Sequence, residues 1–339
     1  MNIPKDRIAL LLAIGGYAGL AALLAPGTYG SMIVAYAGQL IVIPLLLMIA
    51  LPVAGVVGRP AAPLAHMLKL ARSGIGRIAA VAAVFCIGIA AFTTFKIEIP
   101  RFVPFYADPG LADLDLALHF GHNPGEIVHA IVPSEAGYLL GVLYGLVWFV
   151  LWFGLIAFVA LSEDQALRQR YFWSMALVLA LLGTLAALAF SSVGPILYER
   201  IYHVDRFARL VSLIEQSPVG DYMRLASSYL FDTYHGGAPR AGAGISAMPS
   251  IHLAIVTLNA LMLTRIRPLV GVIAWLYVGV ILLGSVYLGW HYAIDGYFSI
   301  AVTTIIWHGV GSLQRRTARP AFAEGAVAVG GKVAAPRSV

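Results

Sequence analysis

Long runs of apolar residues alternate with shorter polar or Gly- and Pro-containing segments along most of the chain. A helix needs about 20 consecutive apolar residues to cross a bilayer. By this criterion the sequence predicts eight spans, at residues 8–26, 31–57, 77–95, 138–161, 172–194, 250–265, 268–290 and 292–311. The pattern therefore predicts an all-α integral membrane protein with about eight transmembrane helices.

The same pattern divides the chain into three parts. Residues 1–76 carry two N-terminal spans and a cytoplasmic interfacial helix between Arg59 and Arg77, residues 77–311 carry a membrane domain, and residues 312–339 form a disordered cytoplasmic tail. Two long segments of the middle part, residues 96–137 and 195–249, are rich in Tyr and Phe. Because these side chains favour the membrane–water interface, we expect helices of these segments to lie at the headgroup level.

Composition supports a membrane protein and indicates its orientation. The chain is 60% hydrophobic and 11% charged, whereas soluble domains carry about 25% charged residues. The net charge of +6 does not indicate a nucleic-acid partner, because most Lys and Arg residues lie in short loops and at the termini. By the positive-inside rule the termini are cytoplasmic and the two long loops face outward. We expect a plasma or inner membrane location.

Two histidines fall on the predicted outer face, at the ends of neighbouring spans. His252 follows Pro249 and Ser250 at the start of the sixth span, and His291 ends the seventh. Asp295 lies four residues after His291, one helical turn away on the same face. Imidazole serves as nucleophile or as acid near neutral pH, and a carboxylate orients a nucleophilic imidazole. The free N–H groups beside Ser250 can hold phosphate oxygens, so the pattern predicts phosphoryl chemistry.

These residues resemble motifs of the type-2 phosphatidic-acid phosphatase superfamily. The family patterns are Lys-x6-Arg-Pro, Pro-Ser-Gly-His and Ser-Arg-x5-His-x3-Asp, and this chain carries related sequences at residues 96–104, 249–252 and 284–295. Val103 and Ser285 stand where the hydrolases have arginines. The Met-Pro-Ser-x-His and His-Tyr-x-x-Asp forms are similar to the inositol phosphorylceramide synthase branch. The resemblance implies a six-helix core made of the third to eighth spans, with the first two spans as an addition.

The resemblance also implies a role for each matching residue. His291 would be the nucleophile that forms a phosphohistidine, His252 the acid, and Asp295 the group that orients His291. The phosphate would be bound by Lys96 and Ser250, with Arg240 or Arg101 replacing a missing arginine; the alternatives are that Lys96 only extends to the interface and that Arg240 is an ordinary loop charge. No cofactor or metal is expected, because imidazole performs both attack and protonation.

Three functions are compatible with these residues. The leading hypothesis is a phosphotransferase that moves a phosphorylated headgroup, such as inositol phosphate, from a phospholipid to a lipid alcohol such as ceramide or diacylglycerol. The alternative is a phosphatase that hydrolyses phosphatidate or a polyprenyl (pyro)phosphate with the same site. A transporter or scaffold is the third. The missing arginines favour the transferase, since a dianionic monoester demands more positive charge than a diester.

Overall fold

The computed structural model describes residues 5–39 and 61–329, and every regular element in these ranges is a helix. The membrane-sized helices are α1 (Lys5–Leu24), α3 (Pro63–Phe102), α6 (Ala136–Leu161), α7 (Gln165–Ala189), α12 (Pro268–Tyr287) and α13 (Ala293–Val329). The shorter ones are α2 (Pro26–Gln39), α4 (Asp108–Leu118), α5 (Pro124–Ile131), α8 (Pro195–Tyr202), α9 (Ala208–Gln216), α10 (Gly220–Tyr234) and α11 (Ile251–Ile266).

Five of these helices are long and apolar enough to cross a membrane: Asp6–Leu24, Gly76–Phe102, Ala136–Leu161, Gln165–Ala189 and Pro268–Tyr287. They coincide with five of the predicted spans. The sixth predicted span is the shorter helix α11, and the eighth lies within α13. Most of the second predicted span falls at residues 40–60, outside the described residues. The structure therefore confirms an all-helical chain with several membrane-sized helices, while the count of eight spans stays a prediction.

Two predicted boundaries differ from the helices observed. The separate interfacial helix between Arg59 and Arg77 is not present among the described residues, because α3 runs unbroken from Pro63 to Phe102. Arg77 lies inside this helix. Its guanidinium donates to carbonyl groups of α6, including that of Ala160. Likewise, α13 continues beyond residue 312, the predicted start of a disordered tail, as far as Val329.

Helix α11 lies at the centre of the bundle. It packs against α6, α7, α12 and α13, and side chains from Leu253 to Ala260 are buried on all its faces, as expected for a helix that is apolar all round. Its polar Asn259 accepts a hydrogen bond from the Tyr171 hydroxyl of α7 at 2.8 Å. Only Arg267 separates α11 from α12, and Gly271 lets the two helices approach closely at Thr264. His252, in the first turn of α11, is half-buried.

The two long loops are folded into helices that cover one end of this bundle. Helices α4 and α5 form the first loop, and α8, α9 and α10 form the second. Asp108 of α4 joins them: its carboxylate accepts hydrogen bonds from the backbone N–H groups of Val193 and Gly194 and from the hydroxyls of Tyr202 and Tyr292. The prediction that these loops are ordered helical segments is confirmed.

Candidate active site

A cavity of ≈ 160 Å³ opens at this end of the bundle, and both predicted catalytic histidines line it. Its polar side chains are those of Lys96, His252 and His291, together with the Tyr144 hydroxyl and Ser246. Apolar side chains make up most of the remaining wall: Phe92, Val193, Leu197, Leu230, Ile245, Ile251 and Trp290. The structure thus brings together residues that are far apart in the sequence.

His291 is held by two acceptors on the same ring nitrogen. Its Nδ1 lies 2.7 Å from the carbonyl oxygen of Ala247 and 3.3 Å from Oδ2 of Asp295. Since a carbonyl and a carboxylate only accept, Nδ1 carries the proton and Nε2 keeps its lone pair in the neutral ring. This is the tautomer that a nucleophilic Nε2 requires. Asp295 contacts His291 as the spacing predicts, but the closer contact is with Ala247, which no sequence signal indicates.

Asp295 is itself fixed within the first turn of α13. Its carboxylate is fully buried and accepts the Tyr292 backbone N–H at 3.1 Å. The carbonyl of Asp295 also accepts the Ser299 hydroxyl at 2.7 Å. The Tyr292 contact holds Oδ2 beside the His291 ring, while Oδ1 accepts no hydrogen bond from the described residues.

His252 is held by aromatic stacking. Its ring lies on Tyr144 with centroids 4.3 Å apart and planes at 12°, and against Trp148 with centroids 4.0 Å apart. The Trp148 indole N–H donates to the His252 carbonyl at 3.2 Å. Tyr144 belongs to a π-helical segment of α6, Leu143–Val147, and such segments often occur at functional sites. The aromatic walls orient the His252 ring while leaving its nitrogens free of described protein partners.

Lys96 contributes a cation to the same cavity. Among the residues that line it, Lys96 is the sole Lys or Arg, and the described residues place no carboxylate within 4.0 Å of its ammonium group. The loop before α11 meets α3 at this point, because Gly244 packs on the Lys96 backbone with a φ of +97°. An added Cβ would lie 2.8 Å from the Lys96 carbonyl carbon, so this wall requires glycine.

The remaining predicted phosphate ligands lie elsewhere. Ser250 is fully buried and caps α11, accepting the Leu253 N–H at 3.5 Å, and it does not line the cavity. Arg240 is exposed, with its guanidinium 5.2 Å from the Tyr229 ring centroid. Arg101 is also exposed and pairs with Glu98 at 3.5 Å. Neither arginine lines the cavity in this structure.

Val103 and Ser285, which stand where the family has arginines, make contacts within the protein. Val103 ends α3, and its carbonyl accepts the Ser191 hydroxyl at 3.1 Å. Ser285 is fully buried, and its hydroxyl donates to the Leu282 carbonyl at 2.7 Å. No guanidinium takes their place among the residues that line the cavity.

Two buried aspartates support the site, and no local sequence pattern indicates their roles. Asp115 accepts the backbone N–H groups of Ala293 and Ile294, both at 3.1 Å, and so caps α13 two residues after His291. Asp108 binds the Tyr292 hydroxyl at 2.9 Å, directly beside His291. Burial raises the pKa of both carboxyl groups, and the hydrogen bonds they accept oppose that shift. Their partners are distant in the chain, so no local motif reveals them.

A metal cluster is not evident in the part of the chain that the structure describes. Asp113 pairs with Arg206 at 2.6 Å, while the Asp115 carboxylate is taken up by helix capping. His119 lies between the Asp115 carbonyl, at 2.6 Å, and the Tyr297 hydroxyl, at 3.0 Å. These side chains serve contacts within the protein.

The sequence profile described as the PAP2 superfamily, the type-2 phosphatidic-acid phosphatases, matches residues 109–308. This match covers more than half of the chain and includes His252, His291 and Asp295. It begins after Lys96, so the first of the three motifs lies outside it. No curated protein and no solved structure matched the chain.

Proposed function

The chain belongs to the PAP2 superfamily, whose members are generally enzymes acting on phosphate esters, and from this premise we propose that it is a metal-independent lipid phosphotransferase. It would move a phosphorylated headgroup, such as inositol phosphate, from a phospholipid to a lipid alcohol such as ceramide or diacylglycerol. The enzyme would be an integral membrane protein with cytoplasmic termini and an outward-facing site. No cofactor takes part in this reaction.

The observation that carries the proposal is the charge of the cavity. Lys96 is the one fixed cation among its described lining residues. A phosphodiester headgroup carries a single negative charge, whereas a phosphate monoester carries close to two near neutral pH. One ammonium group therefore matches a diester donor, and the apolar walls formed by Phe92, Leu197 and Ile251 suit a lipid alcohol.

The proposed reaction has two steps. In the first, Nε2 of His291 attacks phosphorus, the bond to the diacylglycerol oxygen breaks, and protonated His252 gives its proton to that oxygen. In the second, the acceptor hydroxyl attacks the phosphohistidine, His252 takes the hydroxyl proton, and Nε2 of His291 leaves. Lys96 balances charge on the phosphoryl oxygens in both steps, and Asp295 stabilises the imidazolium character of His291.

The test is headgroup transfer by detergent-purified protein. Headgroup-labelled phosphatidylinositol is incubated with and without an acceptor, either ceramide or a diacylglycerol whose acyl chains differ from those of the donor. Lipid products are then separated from free inositol phosphate. We expect a new labelled lipid only when acceptor is present. His291→Ala should abolish it, and His252→Ala should slow it by about 10²- to 10⁴-fold. His308→Ala is the matched control, because His308 is an exposed histidine on the same helix, α13.

Other products would contradict the transferase. Free inositol phosphate without a new lipid, dependent on His291, would show that water resolves the intermediate and that the enzyme is a hydrolase. A panel of phosphatidate and polyprenyl phosphates would then be tested. An equal loss of activity in His291→Ala and His308→Ala would contradict the assignment of the site.

A further inference from the structure

A second cavity lies between α1, α3 and α7 and shares no lining residue with the active-site cavity. Its volume is ≈ 350 Å³, and apolar side chains form most of its wall, among them Leu10, Ile14, Val84, Phe85 and Phe172. Its lining residues run from Arg7 to Tyr17 on α1, from Arg77 to Ile89 on α3 and from Arg168 to Ala180 on α7. Such a groove accommodates an acyl chain.

Three arginines line the same cavity. Arg7 lies in the first turn of α1, Arg77 on α3 and Arg168 in the first turn of α7. Arg77 and Arg168 both donate to the carbonyl of Ser162, and Arg7 lines the same cavity. Among the described residues, none of the three has a carboxylate within 4.0 Å. Asp164 is a carboxylate whose charge also acts on Arg168, so the three guanidinium groups leave the cluster with an excess of positive charge.

Part of this cluster is rigidly placed. Arg77 Nη1 and Arg168 Nη1 lie 3.4 Å and 2.7 Å, respectively, from the Ser162 carbonyl oxygen at the end of α6. Each guanidinium has five N–H donors, so donors remain for a further ligand. Arg7 is exposed and makes no described side-chain hydrogen bond. Arg77 and Arg168 thus form a preformed anion site, and the exposed Arg7 side chain can adjust to the ligand.

This site lies far from the catalytic histidines. Arg77 and Lys96 are 19 residues apart on the continuous helix α3, which corresponds to about 28 Å at 1.5 Å per residue. That separation is close to the roughly 30 Å thickness of the hydrocarbon core. The arginines thus lie near the membrane face opposite the active site, and a phosphate bound there does not reach His291.

We propose that this cavity binds an anionic phospholipid as a resident, non-substrate lipid. Its phosphate contacts Arg7, Arg77 and Arg168, and one acyl chain occupies the apolar groove between α1, α3 and α7. Guanidinium groups match phosphate geometry through paired N–H donors, and basic pockets between transmembrane helices bind anionic headgroups. The bound lipid joins α1 to the bundle formed by α3 and α7.

Native mass spectrometry of the full-length protein in detergent tests this site, with phosphatidylglycerol and phosphatidylcholine of identical acyl chains as probes. We expect the protein to bind phosphatidylglycerol more tightly. Removal of a guanidinium in Arg7→Gln or Arg168→Gln should weaken phosphatidylglycerol binding about fivefold each, with little effect on phosphatidylcholine. Arg267→Gln is the matched control, since Arg267 is an exposed arginine outside this cavity.

A second variant tests the groove without altering charge. Ala80 lines the cavity and is exposed, so Ala80→Trp fills the groove without disturbing a buried position. It should weaken binding of both lipids and leave the thermal unfolding midpoint in lipid-free detergent unchanged. The proposal is overturned if both lipids bind equally to the wild type. It is also overturned if the Arg7 and Arg168 variants match Arg267→Gln, or if Ala80→Trp binds phosphatidylglycerol normally.

Discussion

Asp115→Asn tests how His291, the proposed nucleophile, is positioned, because Asp115 joins the α4 loop helix to the start of α13. In the native protein its two carboxylate oxygens accept the N–H groups of Ala293 and Ile294. An asparagine has one acceptor oxygen, so one of these buried N–H groups loses its partner, at a loss of about 1–3 kcal/mol. Loss of the negative charge at the helix N-terminus adds about 0.3–1 kcal/mol.

An opposing effect reduces this sum. Burial raises the pKa of Asp115, which shows that desolvation of its carboxylate is unfavourable, and the neutral amide removes that penalty. We therefore expect a net destabilisation of about 2 kcal/mol, within the usual range for a lost buried hydrogen bond. In a chain of this size that corresponds to a fall of roughly 3 °C in the unfolding midpoint.

Catalysis should respond as well. His291 precedes the capped turn by two residues, and small misplacements of a reacting group lower rates by up to about 100-fold. We expect kcat for headgroup transfer to fall roughly 10- to 100-fold while KM changes less. The assays are thermal unfolding in detergent and the labelled transfer reaction at saturating donor.

Asp113→Asn provides the matched control. Asp113 lies on the same helix, is exposed and pairs with Arg206 at 2.6 Å, and exposed ion pairs contribute little to stability. If Asp115→Asn and Asp113→Asn have the same unfolding midpoint and the same kcat, the reasoning about α13 capping is refuted.

Two further predictions concern the cavity wall and pH. Gly244→Ala should abolish or strongly reduce activity in the transfer assay, because its Cβ would lie 2.8 Å from the Lys96 backbone. Gly242→Ala is the control and should be milder, because Gly242 has a φ of +73° but no atom within 4 Å of an added Cβ. Equal effects of the two variants would contradict this. Burial lowers the pKa of His129 below 6.5, so the unfolded chain binds a proton more readily and stability is lost as pH falls below about 6.5. His129 Nε2 lies 2.9 Å from the Tyr287 carbonyl oxygen, and a glutamine can still donate to it. His129→Gln should therefore flatten the decline of the unfolding midpoint with pH, and parallel curves for both proteins would contradict the assignment.

The elements that sequence reasoning found are those with local signals. Apolar runs predicted the membrane-sized helices, and the four-residue spacing of His291 and Asp295 predicted their contact. The placement of His252 in the same cavity followed from the short turn between α11 and α12. These inferences rest on periodicity and on short separations along the chain, which the structure preserves.

The elements that it missed depend on tertiary contacts. Asp115 and its partners Ala293 and Ile294 are separated by 178 and 179 residues, and nothing local distinguishes Asp115 from the exposed Asp113. Arg240, twelve residues before His252, is one candidate for a missing arginine, yet its guanidinium lies 5.2 Å from the Tyr229 ring centroid and outside the cavity. No sequence pattern indicates that α3 continues unbroken through its basic first turns, because the charges there are typical of a separate interfacial helix.

Trapping the covalent intermediate tests the central claim, that His291 attacks a phosphate ester. The full-length protein would be mixed with phosphatidylinositol labelled at phosphorus, without acceptor, quenched in alkali, and digested to locate the label by mass spectrometry. We predict an acid-labile, alkali-stable phosphoryl label on Nε2 of His291, which disappears when acceptor lipid is added before the quench. Turnover of the donor without label on His291, or with label on another residue, would contradict the account.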